Sequence, residues 1–263
     1  MLAVAMGVAS GTVSADTVLI TGANQGIGLE FAKEYAARGW TVIATHRRTS
    51  TPGALAELAG KYPKVRIERM DVTDAAQIEA LGAKLKGMPI DVLLSNAGLV
   101  RTDPLDKPGG NRNQMFGSLD YTLLDDFIHT NVAGALRITE TFIGNVKASR
   151  QKKIVAISSA AASVSVPPFM PNGSAVPDHY WYRISKAALN SAMRLVSAQF
   201  KQDGVTVVMF HPGGVQVESF GKTKLPGFVA PEVAVGKMIR TIDHLTIKDS
   251  GRFMDNDGKD HPW

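Results

Sequence analysis

The chain has 263 residues, of which 44% are hydrophobic and 20% charged; this supplies one substantial core and argues against intrinsic disorder. It contains no cysteine, which excludes disulfides, thiolate nucleophiles and cysteine-ligated zinc. The net charge of +5 comes from scattered Lys and Arg without a long basic run, which favours one or two local phosphate contacts over a nucleic-acid partner.

Residues 1–15 are interpreted as a flexible N-terminal tail, and residues 16–263 as a single domain. The tail is small and apolar and ends in Val13, Ser14 and Ala15, which loosely fits a signal-peptidase site. A secretory signal normally has a positive start and a longer Leu-rich core, and this tail has neither. An extended start is therefore favoured over a signal. No stretch predicts a membrane span, and we expect a cytoplasmic protein.

From residue 16 onward, short apolar strands alternate with helices. Strands are predicted at residues 17–21, 40–45, 65–70, 90–95, 153–158, 205–210 and 252–254. Helices are predicted at residues 26–38, 52–60, 75–86, 119–146, 182–201 and 230–245. Repeated strand–helix–strand units imply right-handed crossovers and a parallel sheet covered by helices on both faces. The sequence therefore predicts an α/β fold of the Rossmann type, a doubly wound sheet that binds ligands beyond the carboxyl ends of its strands.

A glycine-rich loop follows the first predicted strand, with the spacing G-x-x-x-G-x-G from Gly22 to Gly28. Glycines let the backbone turn sharply here and aim the next helix at an anion. Such a loop is often only a tight turn, but its place in an alternating chain favours a nucleotide phosphate site. The predicted cofactor contacts in it are Gly22, Asn24, Gln25, Gly26, Ile27 and Gly28.

The end of the second strand carries Arg47 and Arg48, where an NAD-selective enzyme usually has Asp or Glu for the ribose 2′-hydroxyl. Guanidinium groups bind a 2′-phosphate through charge-assisted, forked hydrogen bonds, whereas a carboxylate would repel it. The pattern favours NADP, the alternative being that both arginines are solvated loop residues. Asp71 and Val72 after the third strand are further predicted contacts. Asp71 could accept from the adenine amine or cap the next helix.

The ordered motifs of the chain resemble the short-chain dehydrogenase/reductase family. They are the glycine loop, Ser95-Asn96-Ala97-Gly98 after the fourth strand, Asn131 in the long helix, Ser158-Ser159 after the fifth strand, and YRISK from Tyr182 to Lys186. Each motif is weak alone, but the ordered set is specific. Within the family the chain is most similar to the C-factor and sniffer-type carbonyl reductases. This likeness rests on YRISKAALN from Tyr182, on His211-Pro212-Gly213 and on the ending at residues 251–263.

Tyr182 and Lys186 lie four residues apart in a predicted helix, so they project from one face about one turn apart. The pKa of an unperturbed tyrosine, about 10, is too high for an efficient base at neutral pH. A neighbouring ammonium lowers that pKa toward a useful range. Two residues at this spacing are usually ordinary helix surface. The upstream motifs favour instead an acid/base pair that protonates the oxygen left by hydride transfer to a carbonyl.

The resemblance implies roles for the remaining site residues. Lys186 would also bind the nicotinamide ribose, Ser159 the substrate oxygen, and Asn131 a water that relays protons to Lys186. Ser158 competes with Ser159 for the substrate oxygen, and the family pattern favours the second serine. Asn96 would brace the sheet beside the cofactor. The other implied cofactor contacts are Ala97, Gly98, Pro212, Gly213 and Val215.

The chain departs from the family pattern in two places. A stretch at residues 166–179 with four prolines lengthens the spacing between Ser159 and Tyr182, and it is interpreted as a stiffened loop over the substrate pocket. Val217 stands where the family often has a threonine that bonds the nicotinamide carboxamide. Residues 220–229 are interpreted as a mobile lid, the alternative being a surface loop without a gating role.

The sequence thus predicts an NADP(H)-dependent oxidoreductase for a small-molecule carbonyl substrate, with no metal, nucleic-acid or membrane partner. By resemblance we expect a homodimer packed through the helices at 119–146 and 182–201. The alternative function is an NADP-binding sensor or signalling protein of the same fold with little turnover. The complete set Asn131, Ser159, Tyr182 and Lys186 argues against that alternative, because a pure binder does not need proton-handling residues.

Overall fold

The computed structural model describes residues 15–100, 114–165, 179–218, 224 and 226–263. Within these residues seven parallel strands form one sheet in the order β3-β2-β1-β4-β5-β6-β7. The strands are β1 (Thr17–Ile20), β2 (Thr41–His46), β3 (Val65–Arg69), β4 (Val92–Ser95), β5 (Lys153–Ile157), β6 (Thr206–His211) and β7 (Phe253–Asp255). The strand order reverses between β1 and β4. This confirms the predicted doubly wound Rossmann-type sheet.

Seven α-helices accompany this sheet in the described ranges. They are α1 (Gly26–Ala37), α2 (Gly53–Lys61), α3 (Ala75–Lys84), α4 (Leu124–Ile128), α5 (Gly134–Lys147), α6 (Tyr180–Phe200) and α7 (Pro231–His244). Most predicted boundaries are correct to within about two residues. Asp74 is the N-cap of α3 because its carboxylate accepts from the Gln77 N–H at 3.1 Å. Thr73 and Asp74 both directly precede α3, and this hydrogen bond assigns the cap to Asp74.

The predicted long helix over residues 119–146 is confirmed as an unbroken helical segment, but it is not α-helical throughout. The segment is a 3₁₀ turn at Tyr121–Leu123, then α4, then a π-helical turn at His129–Ala133, and finally α5. The Asp120 side chain caps the 3₁₀ turn by accepting from the Thr122 N–H at 3.0 Å. The π turn contains Asn131, and π turns frequently occur at functional sites.

The sheet is buried on both faces. Val18 and Ile20 pack in a cluster with α1, α2 and α7, whereas Leu19 between them packs with α3, α5 and α6. This alternation follows from the two-residue period of a strand. It explains why the strands are continuous apolar runs, which is typical of a parallel sheet with helices on each side.

The chain after β7 folds back along the free edge of the sheet. We call residues 253–263 the C-terminal hairpin. The His261 N–H donates to the Phe253 carbonyl at 2.9 Å and the Asp255 N–H to the Lys259 carbonyl at 2.8 Å. An uncovered edge strand invites pairing with another chain, and the hairpin covers this one.

Three interpreted segments lie largely or, for residues 220–229, half outside the described residues. They are the N-terminal tail, the proline-containing stretch at residues 166–179 and the segment at residues 220–229. Among the residues that the structure describes, no helix is long and apolar enough to cross a bilayer.

Candidate active site

The predicted site residues follow the carboxyl ends of four neighbouring strands. The glycine loop follows β1, Asn96 to Gly98 follow β4, the two serines follow β5, and Pro212 and Gly213 follow β6. Helix α6 packs against the 3₁₀ turn Ala160–Ala162, directly after Ser159. The parallel sheet therefore gathers segments from distant parts of the sequence at one edge, as expected for this architecture.

The glycine loop has a shape that only glycine permits. Gly22 and Gly26 have φ values of +66° and +53°, in the left-handed region. A Cβ atom on Gly28 would lie 2.3 Å from the Gly22 carbonyl oxygen and 2.4 Å from Nδ2 of Asn96. Ile27, between these glycines, packs against the core cluster of α1. Backbone segments here approach each other too closely for any larger residue.

Hydrogen bonds fasten the glycine loop to the segment after β4. Asn96 Nδ2 donates to the carbonyls of Thr21 and Gly22 at 3.0 and 3.1 Å. The Thr21 hydroxyl oxygen accepts from the N–H groups of Asn96 and Ala97 at 2.9 and 3.0 Å. Asn96 therefore braces the loop. Thr21 is a partner that our sequence analysis did not single out, although it directly precedes the first glycine.

The N-terminus of α1 contacts a carboxylate. Gln25, its N-cap residue, makes no side-chain capping hydrogen bond, and the Gly26 N–H donates to Oε1 of Glu218 at 3.2 Å. Val217 Cγ1 lies 3.2 Å from the position of a Cβ on Gly26. Because first-turn N–H groups attract anions, this amide fits a pyrophosphate. Binding there requires Glu218 to leave.

Arg48 lies beside the glycine loop. Its guanidinium donates to Oε1 of Gln25 at 3.3 Å, and Nδ2 of Asn24 donates to the same oxygen at 3.3 Å. Arg47 is exposed, as is Arg48. These cations at the end of β2 fit a phosphate on the ribose side of a dinucleotide.

Asp71 does not cap α3. Its Oδ1 accepts from the N–H of Thr73 at 2.9 Å and from the hydroxyl of Thr73 at 2.8 Å, while Asp74 makes the capping bond. Val72 is buried, and its carbonyl oxygen lies 2.9 Å from the position of a Cβ on Gly134. The turn after β3 is thus packed tightly against the start of α5.

Lys186 is a buried cation beside Tyr182. Its Nζ donates to the Ile157 carbonyl at 2.8 Å and lies 5.8 Å from the centre of the Tyr182 ring. Burial lowers the pKa of Lys186 from 10.5 to about 8. A Cβ on Gly98 would lie 3.4 Å from this Nζ, so the segment after β4 closes over the ammonium.

The side chain of Asn131 holds two segments together. Its Nδ2 donates to the Leu99 carbonyl at 2.9 Å and to the Ser185 hydroxyl at 2.8 Å, and its Oδ1 accepts from the Leu99 N–H at 2.7 Å. Both amide hydrogens are therefore engaged. A water relay at Asn131 must use main-chain atoms of the π turn or the second lone pair of Oδ1.

The two serines after β5 differ in their surroundings. Ser158 is only 2% exposed, and its hydroxyl has no hydrogen-bond partner among the described residues. Ser159 is half-buried, and its oxygen accepts from the Ala161 N–H at 3.1 Å, which leaves the hydroxyl hydrogen to donate. Ser159 is the serine that a ligand can reach.

The turn after β6 is held by the C-terminal hairpin. Nδ2 of Asn256 donates to the Pro212 carbonyl at 2.8 Å. Gly213 has φ +81°, and a Cβ on it would lie 2.9 Å from that Nδ2. Val215 is 5% exposed and forms a parallel bridge with Val229. Val229, in the segment interpreted as a lid, is thus hydrogen-bonded to Gly214 and Gln216 of the turn after β6.

The comparison with known proteins identifies the family. Residues 16–225 match the family model described as short chain dehydrogenase. The chain belongs to the short-chain dehydrogenase family. The resemblance predicted from the ordered motifs is confirmed.

Named relatives of this short-chain dehydrogenase include two bacterial proteins. The 1-hydroxy-2-glutathionyl-2-methyl-3-butene dehydrogenase of Rhodococcus sp. (strain AD45) is 33% identical, over 94% of this chain and 99% of its own length. C-signal of Myxococcus xanthus is 32% identical, over 66% of this chain and 93% of its own length.

Solved carbonyl reductases share the fold. The NADPH-bound carbonyl reductase from chicken fatty liver is 30% identical with a TM-score of 0.80, covering 95% of this chain and 100% of that chain. The carbonyl reductase Sniffer of D. melanogaster, with a TM-score of 0.79, is 23% identical, so it supports the fold alone; it covers 95% of this chain and 100% of its own.

Gln114 is a further polar residue of this short-chain dehydrogenase that sequence reasoning missed. Gln114 is fully buried, accepts from the Tyr182 N–H at 3.1 Å and donates to the Val100 carbonyl at 3.1 Å. It ties the first turn of α6 to the segment after β4. No local pattern marks it, because its partners lie in other parts of the sequence. In the described part of the chain, no cluster of three or more His, Asp or Glu residues could hold a metal.

Proposed function

We propose that this short-chain dehydrogenase is an NADPH-dependent carbonyl reductase in which Tyr182 is the general acid and base. The observation that carries the proposal is the buried Lys186 ammonium 5.8 Å from the centre of the Tyr182 ring. Two NADP-bound neighbours support it: the chicken carbonyl reductase and a short-chain dehydrogenase/reductase from Burkholderia multivorans, each 30% identical to this chain.

The cofactor, when bound, supplies the hydride. The charge on Lys186 lowers the pKa of the Tyr182 phenol and its Nζ binds the nicotinamide ribose. Ser159 donates its hydroxyl hydrogen to the substrate oxygen, so that Tyr182 protonates an oxygen already held in place. Asn131 positions α6 through Ser185 and relays protons to Lys186 through a water at the π turn.

The cofactor contacts fall into four groups. Gly22, Asn24, Gln25, Gly26, Ile27 and Gly28 bind the pyrophosphate; Arg47 and Arg48 bind the 2′-phosphate; Asp71 and Val72 contact the adenine; and Asn96, Ala97, Gly98, Pro212, Gly213 and Val215 border the nicotinamide half. The first group is supported by the α1 N-terminus, whose Gly26 N–H already binds a carboxylate.

The decisive test is the consumption of NADPH with a panel of aldehydes, ketones and quinones. Wild-type protein is expected to oxidise NADPH, and Tyr182→Phe to bind NADPH normally while losing at least a hundredfold in turnover, because the proton donor is gone. Tyr180→Phe, two residues before Tyr182 on the same helix, is the matched control and should keep its turnover. Near-normal turnover in Tyr182→Phe would overturn the assignment.

The likeness to C-signal favours one second candidate, an NADP-binding signalling protein with little turnover. Tight NADPH binding without consumption over the whole panel would support it and would contradict the reductase. We further propose a homodimer packed through residues 119–146 and 182–201.

A further inference from the structure

Asn256 of the C-terminal hairpin contacts the turn after β6. Asn256 donates to the Pro212 carbonyl at 2.8 Å, and its Nδ2 lies 2.9 Å from the position of a Cβ on Gly213. The fit requires the left-handed conformation of Gly213, which has φ +81°. Asn256 therefore holds the turn after β6 against the C-terminal hairpin.

A chain of three polar side chains lies beside this contact. His211 ends β6 and stands opposite Asp255 in the register with β7. His261 Nδ1 is hydrogen-bonded to Oδ1 of Asp255 at 2.7 Å, and the rings of His211 and His261 have centres 5.2 Å apart. His211 directly precedes Pro212, so the position of its ring and the course of the turn are linked.

The two histidines each bury one nitrogen that has no partner among the described residues. These are Nδ1 of His211 and Nε2 of His261. Buried polar atoms of this kind are costly and call for an explanation. A neutral His261 that donates to Asp255 through Nδ1 presents Nε2 as an acceptor. An N–H on His211 would be the matching donor for this acceptor.

The C-terminal hairpin also contacts the segment that follows β5. The Trp263 carbonyl accepts from the Ser163 hydroxyl at 3.0 Å and from the Ser165 N–H at 2.7 Å. Ser163 ends the 3₁₀ turn that Ser159 begins. Phe253 packs on the rings of both His261 and Trp263, with ring centres 4.9 and 5.7 Å apart. One hairpin thus touches the supports of Ser159 and of the turn after β6.

We propose that Asn256, His261 and Asp255 are positioning residues for NADPH, which hold the turn at Pro212 and Gly213 against the nicotinamide half of the cofactor. The proposal rests on the proposed function, because this turn is a cofactor contact only if the chain binds NADPH. Burial is the main reason that the pKa of His211 falls to about 4, with His261 lowering it further and Asp255 opposing the shift. The imidazole of His211 is therefore uncharged at neutral pH.

The test compares NADPH affinity with stability in three variants. Asn256→Asp keeps the shape but loses the donor to Pro212, and His261→Phe keeps a ring against Phe253 but loses both nitrogens. Asp260→Asn is the matched control, because it removes a hairpin ion pair with Arg252 (2.7 Å) that does not contact the turn. For each protein the Kd and KM for NADPH, kcat and Tm are measured.

We expect the Kd and KM for NADPH to rise about five- to tenfold in Asn256→Asp and in His261→Phe, with kcat within about twofold of wild type. The control should match wild type in Kd. Should Asn256→Asp not fold, Asn256→Ser takes its place with the same expectation.

Two results would overturn this proposal and leave the proposed function standing. One is a wild-type Kd for NADPH in both Asn256→Asp and His261→Phe despite a lower Tm. The other is an equal loss of NADPH affinity in Asp260→Asn. In either case the hairpin serves only to cover the sheet edge. A wild-type protein that does not bind NADPH would overturn the proposed function itself, and this is evident from the wild-type measurement alone.

Discussion

At the scale of single residues, we propose that the charges around the glycine loop determine the choice between NADP and NAD. Arg48 already contacts Gln25 of that loop at 3.3 Å, and Arg47 precedes it. We expect Arg47→Ala with Arg48→Ala to raise the Kd for NADPH at least tenfold and that for NADH less than about twofold, because only NADPH carries the 2′-phosphate. Fluorescence titration with both nucleotides measures this. The exposed Arg137 on α5, changed to Ala, controls for the loss of a surface arginine away from the loop. Equal losses of affinity for both nucleotides would contradict the 2′-phosphate assignment.

Glu218 has the opposite effect in our account. Its carboxylate accepts from the Gly26 N–H at 3.2 Å, at the helix end that a pyrophosphate needs. Glu218→Gln removes the competing negative charge, so we expect the Kd for NADPH to fall by about threefold or more. Glu232→Gln, in the first turn of α7, controls for the change in net charge. An unchanged or higher Kd in Glu218→Gln would show that the carboxylate does not compete with the cofactor.

Such contacts between distant residues could not be predicted from the sequence. Gly26 and Glu218 are 192 positions apart, and Pro212 and Asn256 are 44 apart. Their meeting depends on the complete sheet and on the hairpin after it. Lys186 and Tyr182, by contrast, were recognisable as a pair because one helical turn joins them. The burial that lowers the pKa of Lys186 required the fold.

At the scale of elements, the order of strands and helices follows from local sequence. Apolar runs such as the one around Leu19 are buried on both faces, and this continuous pattern marks a parallel sheet. The π turn at His129–Ala133 escaped prediction because apolar positions on both sides of it still recur at helical spacing. Thr73 and Asp74 are both residue types that cap helices, and only the hydrogen bond from Gln77 identifies Asp74 as the cap of α3.

The buried His211, where β6 pairs with β7, makes the stability of the folded chain depend on pH. His211 has a native pKa of about 4 against 6.5 in an exposed chain, mainly because it is buried. Between these values the unfolded chain binds a proton that the native state does not. Stability from this group is therefore complete above about pH 6.5 and is lost as the pH falls toward 4, by up to about 3 kcal/mol.

Urea unfolding at about pH 6.5 and about pH 5 measures this contribution. We expect wild type to lose more stability between the two pH values than His211→Gln does. His244→Gln, an exposed histidine at the end of α7, should behave like wild type. Identical losses in wild type and His211→Gln would show that His211 does not control the acid sensitivity.

At the scale of the whole molecule, the proposed homodimer would bury exposed apolar side chains of α6. Ile184 and Leu195 are 45% and 70% exposed and lie three helical turns apart on one face. We expect a homodimer by light scattering, which Leu195→Glu converts to a monomer because the charge would be buried in the interface. Val233→Glu, at an exposed apolar site on α7, should leave the dimer intact. A monomeric wild type would contradict the proposed packing.

The central claim is hydride transfer from NADPH to a carbonyl carbon with Tyr182 supplying the proton. The most direct measurement uses NADPH deuterated on the transferred position of the nicotinamide and follows the label into the alcohol product by mass spectrometry. The account predicts one deuterium per product molecule with wild type, and formation at least a hundredfold slower with Tyr182→Phe at saturating NADPH. Product without the label, or labelled product formed equally fast by Tyr182→Phe, would contradict it.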